Sequence, residues 1–297
     1  MQINKYLLAA FSSFFIWGFF SLAIKPLHEY PSLDILFYRV FCATTLLLVI
    51  NLFFRKEKII TDWQMFQSLD VKQKRQTFLL TVLGGFLLVT NWFLFMYCVN
   101  HVSVKSASFA YLICPIITTI LAFFILKEKL NRWQWLAVVL FVLSCGLLSY
   151  GHVSELLYSL IIATTFALYL ISQRKNNSFD RFVVLTIQLS IASFVLFPFY
   201  PFYKGDTPSS LVFWSLMGLI VVLFTIIPLF LNLFALKGIA SSTVGVLMYT
   251  NPLINFFLAL LYFKETVTFL QIIAYVLIML AILLFNNAVF KKQKKSL

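Results

Sequence analysis

The chain has 297 residues, of which 62% are hydrophobic and only 11% charged, with a mean hydropathy of +0.95. A soluble domain draws about a quarter of its residues from Asp, Glu, Lys and Arg, so this composition excludes a water-soluble globule and demands lipid as the main solvent. The net charge of +13 raises nucleic acid as a partner, but the basic residues lie between apolar runs with no zinc or RNA-binding motif, which excludes that partner and assigns them to membrane topology.

Apolar runs of about 20 residues, the length that crosses a bilayer, predict ten spans over 6–25, 34–54, 77–99, 104–126, 133–151, 155–173, 181–203, 210–236, 241–263 and 268–290. The first run ends at Lys25-Pro26 without a small-residue cleavage site, so it is expected to be a retained helix. Segment 55–76 places Ile59, Trp63 and Phe66 on one helical face between basic ends and is expected to lie flat on the interface. Cys42, Cys98, Cys114 and Cys145 each sit alone in an apolar stretch, with no CxxC pair and no His at ligand spacing, and read as packing residues rather than metal ligands.

An even number of spans puts both termini on one side. Lys5, the basic residues of 55–76, Lys127, Lys129, Arg132, Arg174, Lys175, Arg181, Lys237 and the lysine-rich tail stand against Lys25, Lys105, Lys204 and Lys264. The positive-inside rule then makes both ends cytoplasmic, in a bacterial inner membrane.

Adding 137 to first-half positions reveals a repeat. Phe93 pairs with Phe230, Pro115 with Pro252, Lys127-Glu128 with Lys264-Glu265, and Gln134 with Gln271. Leucine and alanine matches are cheap in apolar helices; the proline, Lys-Glu and glutamine matches are not. The expected architecture is an all-α polytopic membrane protein of two five-helix repeats, 1–150 and 151–290, followed by a basic tail over 291–297. With five spans in each, the second repeat must enter the bilayer inverted. Inverted repeats suit alternating access, with substrate bound near the midplane between the halves.

Polar residues within spans are therefore the candidates for a solute path. Arg39, about two turns into the second span, is costly in a bilayer unless paired or hydrated. It reads either as a cation for an anionic substrate group, with Tyr38 or Asp34 as helpers, or as a structural arginine bonding helix-end carbonyls. Asn91, Gln188 and Asn232 are mid-span amides, and Thr225, Pro228 and Asn232 share a face; interhelical hydrogen bonding is their alternative role. Pro115, Pro228 and Pro252 each remove a backbone donor and are candidate hinges or gates, with Tyr111, Tyr249 and Asn251 beside them as candidate substrate walls. Lys127-Glu128 and Lys264-Glu265 read as caps and loop braces, and His28, His101 and His152 as loop residues.

Trp17-Gly18, Asp34-Ile35-Leu36, Tyr38-Arg39, Thr90-Asn91-Trp92, Val99-Asn100, Trp133-Gln134-Trp135-Leu136-Ala137, Pro228 and Asn251-Pro252 together resemble the EamA-type drug/metabolite transporter superfamily, most closely its RarD-like branch. The resemblance covers nearly the whole chain and implies ten helices in two inverted repeats, cytoplasmic termini and carriage of metabolites or drugs. Two departures stand out. Gln188 replaces a glutamate of the seventh span, so a proton carried there by relatives has no carboxylate here, and Cys114-Pro115 replaces an expected Asn-Pro.

The expected function is secondary transport of a small solute, with a coupling proton or a counter-substrate, by a monomer or homodimer. The sequence supplies no nucleotide-binding loop, cofactor motif or catalytic constellation, so an enzyme is not expected, and a channel is the nearer alternative.

Overall fold

The computed structural model describes residues 4–102, 104–148, 153–176, 178–203, 205, 207–262, 264 and 268–294, and among these every regular element is helical. The first apolar run forms α1 (Lys5–Gly18) and α2 (Phe20–Ile24), closed by a 3-10 turn over Lys25–Leu27 that takes in Pro26. Helix α3 (Ser32–Val49) widens into a π-helical turn over Ile50–Phe54. Next come α4 (Lys56–Ser68), α5 (Val71–His101), α6 (Val104–Ile125) and α7 (Arg132–Leu148).

The second half opens with α8 (Val153–Lys175), α9 (Arg181–Leu196) and the single turn α10 (Tyr200–Tyr203). Helices α11 (Leu211–Val221) and α12 (Ile227–Gly238) are joined by a π-helical turn over Val222–Ile226. Helices α13 (Ser241–Leu247), α14 (Thr250–Leu261) and α15 (Phe269–Lys294) complete the chain.

By length and composition, Lys5–Leu27, Ser32–Phe54, Val71–Val99 and Leu211–Gly238 suffice to cross a membrane; Phe109–Ile125, Arg132–Leu148, Arg181–Leu196 and Phe269–Phe285 are shorter apolar helices. Large apolar side chains such as Phe53, Phe78, Phe194 and Leu283 face outward, as lipid requires. Of the expected interfacial segment, Lys56–Ser68 becomes α4, which buries no residue and exposes Ile60 and Trp63, while residues 71–76 instead open the long helix α5. Helix α4 is tied down at both ends of its first two turns: Arg55 grips Asp180 through both carboxylate oxygens at 2.8 and 2.9 Å, and Asp62 accepts the Asp180 N–H at 2.9 Å.

The repeat is visible in local geometry. Lys127 and Lys264, 137 positions apart, are the two non-glycine residues with positive φ among those described, at 57° and 53°, each just beyond the C-terminus of its helix. Reciprocal capping boxes follow at matching positions. Asn131 Oδ1 accepts the Gln134 N–H at 2.9 Å while Gln134 Oε1 accepts the Asn131 N–H at 3.0 Å. Thr268 and Gln271 make the same pair at 3.3 and 2.8 Å. Those two hydrogen bonds explain why glutamine recurs in both halves.

Packing obeys the same exchange. Helix α1 packs on α12 and α14, and its counterpart α8 packs on α5 and α6; α3 faces α9, α6 faces α13, and α7 faces α15. One asymmetry stands out. Helix α6 runs unbroken through Pro115, whereas its counterpart breaks at Met248 and Tyr249, just before Pro252. There the backbone tightens to i→i−3 bonds, Tyr249 N–H to Val246 O at 3.2 Å and Asn251 N–H to Met248 O at 3.0 Å.

Glu128 braces the join between the halves. Its carboxylate accepts the Ser241 N–H at 2.7 Å, the Ser242 N–H at 3.1 Å and the Ser242 hydroxyl at 2.6 Å, at the first turn of α13. The helix dipole adds to these charge-assisted bonds. Replacing Glu128 by Ala is expected to cost about 2 kcal/mol and to lower the unfolding temperature of the detergent-solubilised protein. An unchanged unfolding temperature would mean that this cap does not hold the two repeats together. Its repeat mate Glu265, like His152, lies outside the described residues.

Candidate functional site

The site is built around Arg39, which is 6% exposed. Its position follows from a defect in the helix opposite. Pro228 has no N–H, so the carbonyl of Phe224, four residues earlier, loses its helical donor, and the chain widens into the π-turn just before it. The freed Phe224 carbonyl accepts the Trp17 indole N–H at 2.8 Å and lies 3.4 Å from Arg39 Nη2. In the same turn Thr225 Oγ1 donates to Ile220 O at 2.9 Å and accepts Arg39 Nε–H at 2.7 Å.

Aromatic rings cover the cation. The Arg39 guanidinium carbon lies 4.5 Å from the Trp92 ring centroid and 5.3 Å from that of Phe20, contacts worth up to about 2 kcal/mol each when desolvated. Tyr111 is close enough for its phenol and the guanidinium to act on each other electrostatically. Among the described residues no ion pair forms at Arg39; it is buried with the Thr225 hydroxyl, the Phe224 carbonyl and aromatic rings as partners and no carboxylate.

The expected helpers of Arg39 point elsewhere. Asp34 accepts the Gly205 N–H at 2.9 and 3.0 Å, and the Tyr38 hydroxyl lies 3.2 Å from that of Tyr200. Asp34 thus holds the segment just after α10, and Tyr38 holds α10 itself.

The remaining candidates divide in two. Gln188, fully buried, donates to Gln173 Oε1 at 2.9 Å and accepts the Tyr169 hydroxyl at 3.3 Å, tying α9 to α8. Asn251 Oδ1 accepts the Asn255 amide at 2.6 Å within α14. These two are engaged helix to helix or within a helix. Asn91 donates to Ile162 O at 2.8 Å, but its Oδ1 has no partner, and neither do the amide atoms of Asn232 or the hydroxyl of Tyr249. All three residues are at most 2% exposed. Buried polar atoms without partners are uncommon and mark places where a ligand or water is accommodated. The Tyr249 ring stacks on Phe141 at 4.2 Å beside the broken α13–α14 join.

Trp92, Phe20 and Trp17 are site residues that sequence reasoning left out of the path. Two signals were available: the mid-span position of Trp92 next to Asn91, and that of Trp17 before Gly18. A Cβ at Gly18 would strike Ile254, so that glycine lets α1 lie against α14 and carries Trp17 to the Phe224 carbonyl.

A twice-repeated helical membrane bundle with a buried cation between its halves is a transporter architecture. The chain belongs to the EamA-like transporter family, which matches residues 4–150 and again 153–287. It is similar to the uncharacterized transporter YojE of Bacillus subtilis, at 30% identity over 96% of this chain and 94% of that protein. It is also similar to protein RarD of Escherichia coli, at 26% identity over 99% and 98% of the two chains. An uncharacterized transporter of Pseudomonas aeruginosa is 27% identical over 93% and 91%. One solved crystal structure superposes with a TM-score of 0.73 over 94% of this chain and 95% of its own at 14% identity, a likeness of fold alone. The chain is thus an integral membrane protein of a bacterial membrane and a membrane transporter of the drug/metabolite kind.

Proposed function

We propose that the protein is a secondary carrier that moves a small solute bearing an anionic group across the cytoplasmic membrane by alternating access, with Arg39 as the anchor for that group. The observation that carries this reading is a buried guanidinium in the middle of the bundle with no carboxylate among the described residues to neutralise it. Desolvating such a charge costs several kcal/mol, and carbonyl and aromatic partners offset only part of that. A solute anion supplies the rest.

Ten spans with both termini in the cytoplasm fit the basic loops. The Phe20 and Trp92 rings favour a solute with an apolar or aromatic body next to its charge. The partnerless atoms of Asn91, Asn232 and Tyr249 offer further hydrogen-bonding stations. Transport, rather than chemistry on the solute, is the function this arrangement serves.

The test is uptake into proteoliposomes of pooled labelled carboxylates, amino acids and nucleosides, with and without a proton gradient and with counterflow. Saturable flux of one anionic class, lost in an Arg39→Ala protein that still elutes as folded, is the expected result. Linear flux without counterflow would replace the carrier by a channel. No flux of any class under any gradient would remove the solute-anion reading.

A further inference from the structure

The second cluster of unmet polar groups lies at the end of the bundle that carries the N-terminus, where Tyr6 sits against Gly238 and Phe234. Arg181 opens α9 there and is 2% exposed. Its Nη1 donates to Asn176 O at 2.6 Å, but Nε and Nη2 have no hydrogen-bond partner. Those two nitrogens lie on one edge of the guanidinium and present parallel N–H bonds, the fork that takes two oxygens of a carboxylate or phosphate. The contrast with Arg39 is direct, because there the same edge is turned to Thr225 Oγ1 and the Phe224 carbonyl.

Among the described residues the Asp180 carboxylate attracts Arg181, while Arg174 and Lys237 act on it with like charge. Its neighbour Asp180 has its carboxylate committed to Arg55 and to the N–H groups of Phe182 and Val183 at 2.9 and 3.2 Å. Arg174 itself donates to Leu236 O across the join between α8 and α12. Asp62 on α4 lies further out and is bonded to the Asp180 backbone; burial pushes its carboxyl up, and that hydrogen bond pulls it back. The inner ends of α8, α9 and α12 therefore enclose an excess of positive charge around a two-pronged donor with nothing to hold.

We propose that the Nε–Nη2 edge of Arg181 is an oxyanion-binding site, for a carboxylate or phosphate group, separate from Arg39 and at the opposite end of the bundle from the Asp34–Gly205 contact. Its role as the inner station of the solute path rests on the carrier reading above; its binding of an oxyanion does not. In the closed arrangement the edge is sealed, so the ligand enters when the ends of α8 and α12 part, and pairing then replaces a buried, unpaired charge by a fork of two charge-assisted bonds.

The experiment is thermal unfolding of the full-length protein in detergent, titrated with inorganic phosphate or acetate at constant ionic strength. The wild type is expected to show a saturable rise in unfolding temperature. Half-saturation should shift upward at least about tenfold in Arg181→Gln and in Arg181→Lys, which keeps the charge without the fork, and stay in place in Arg132→Gln, which removes an exposed cation outside both sites. If Arg181→Gln does not fold, Arg181→Lys carries the test. Nanodiscs of phosphatidylcholine with and without phosphatidylglycerol separate the sources. Loss of the phosphate response when phosphatidylglycerol is present assigns the site to a lipid headgroup, and its persistence assigns it to a soluble oxyanion. A wild type that responds to neither anion nor to phosphatidylglycerol, or variants of Arg181 that titrate like the wild type, would overturn the site. Failure of the carrier reading would appear separately, in the proteoliposome uptake.

Discussion

Replacing Gly84 by leucine is expected to leave little folded protein. Gly84 is buried on the face of α5 that meets α8 and α9, where a Cβ would collide with the side-chain amides of both Gln173 and Gln188. Neither glutamine has room to withdraw, since both are fully buried and bonded to each other, and Gln188 also holds the Tyr169 hydroxyl. Gly85 offers no relief in the next position, because a Cβ there would press on Ile191 and the Gln188 carbonyl. The substitution therefore overpacks a helix junction and strips partners from buried amides. Overpacking costs about 1–3 kcal/mol, and each orphaned amide adds about 1–3 kcal/mol. Size-exclusion profiles of the solubilised protein should show aggregation for Gly84→Leu and a reduced folded peak for Gly84→Ala. Adding Gln188→Ala to Gly84→Ala should recover part of the loss by making room. A Gly84→Leu protein that is monodisperse and as heat-stable as the wild type would contradict the close approach of α5 to the two glutamines.

That pair also shows why part of the candidate site was hidden. A mid-span glutamine reads from sequence as a wall of the path, and only the approach allowed by Gly84 and Gly85 turns Gln188 toward Gln173. The long-range order was far easier to read. Runs of about 20 apolar residues mark their own ends, and the offset of 137 carries Gln134 and Lys127 onto Gln271 and Lys264, whose capping bonds and positive φ values recur in both halves. Those are local interactions, so local sequence encodes them.

Arg39 was visible because a lone arginine in an apolar run is expensive; its partners were not. Nothing in Val222–Ile226 announces a π-turn except the proline that follows. The direction in which Phe20 and Trp92 face is set by packing across the bundle. Arg181 was hidden for a different reason: a count of cations per loop sees only sign, and cannot tell a solvated residue from one that is 2% exposed with two of its three guanidinium nitrogens unused.

In a carrier whose solute anion docks on Arg39, the conservative Arg39→Lys change should lower the ratio of maximal flux to half-saturation concentration about a hundredfold, equivalent to about 2.7 kcal/mol. A lysine ammonium has the charge but not the fork. It cannot bond Thr225 Oγ1 and the Phe224 carbonyl with two parallel N–H groups, and it has no planar face to lie against Trp92. The Phe224 carbonyl would keep the Trp17 indole, so the protein should still fold, and the loss should fall on transport. Pro228→Ala probes the same arrangement from the other side. It restores an N–H that competes for the Phe224 carbonyl and draws the π-turn toward an ordinary helix, carrying Thr225 away from Arg39. Its flux should fall at least about tenfold with stability unchanged or raised, since removing a proline from a helix relieves strain. Near-wild-type flux in Arg39→Lys would reduce the site to a point charge; near-wild-type flux in Pro228→Ala would separate the π-turn from transport altogether.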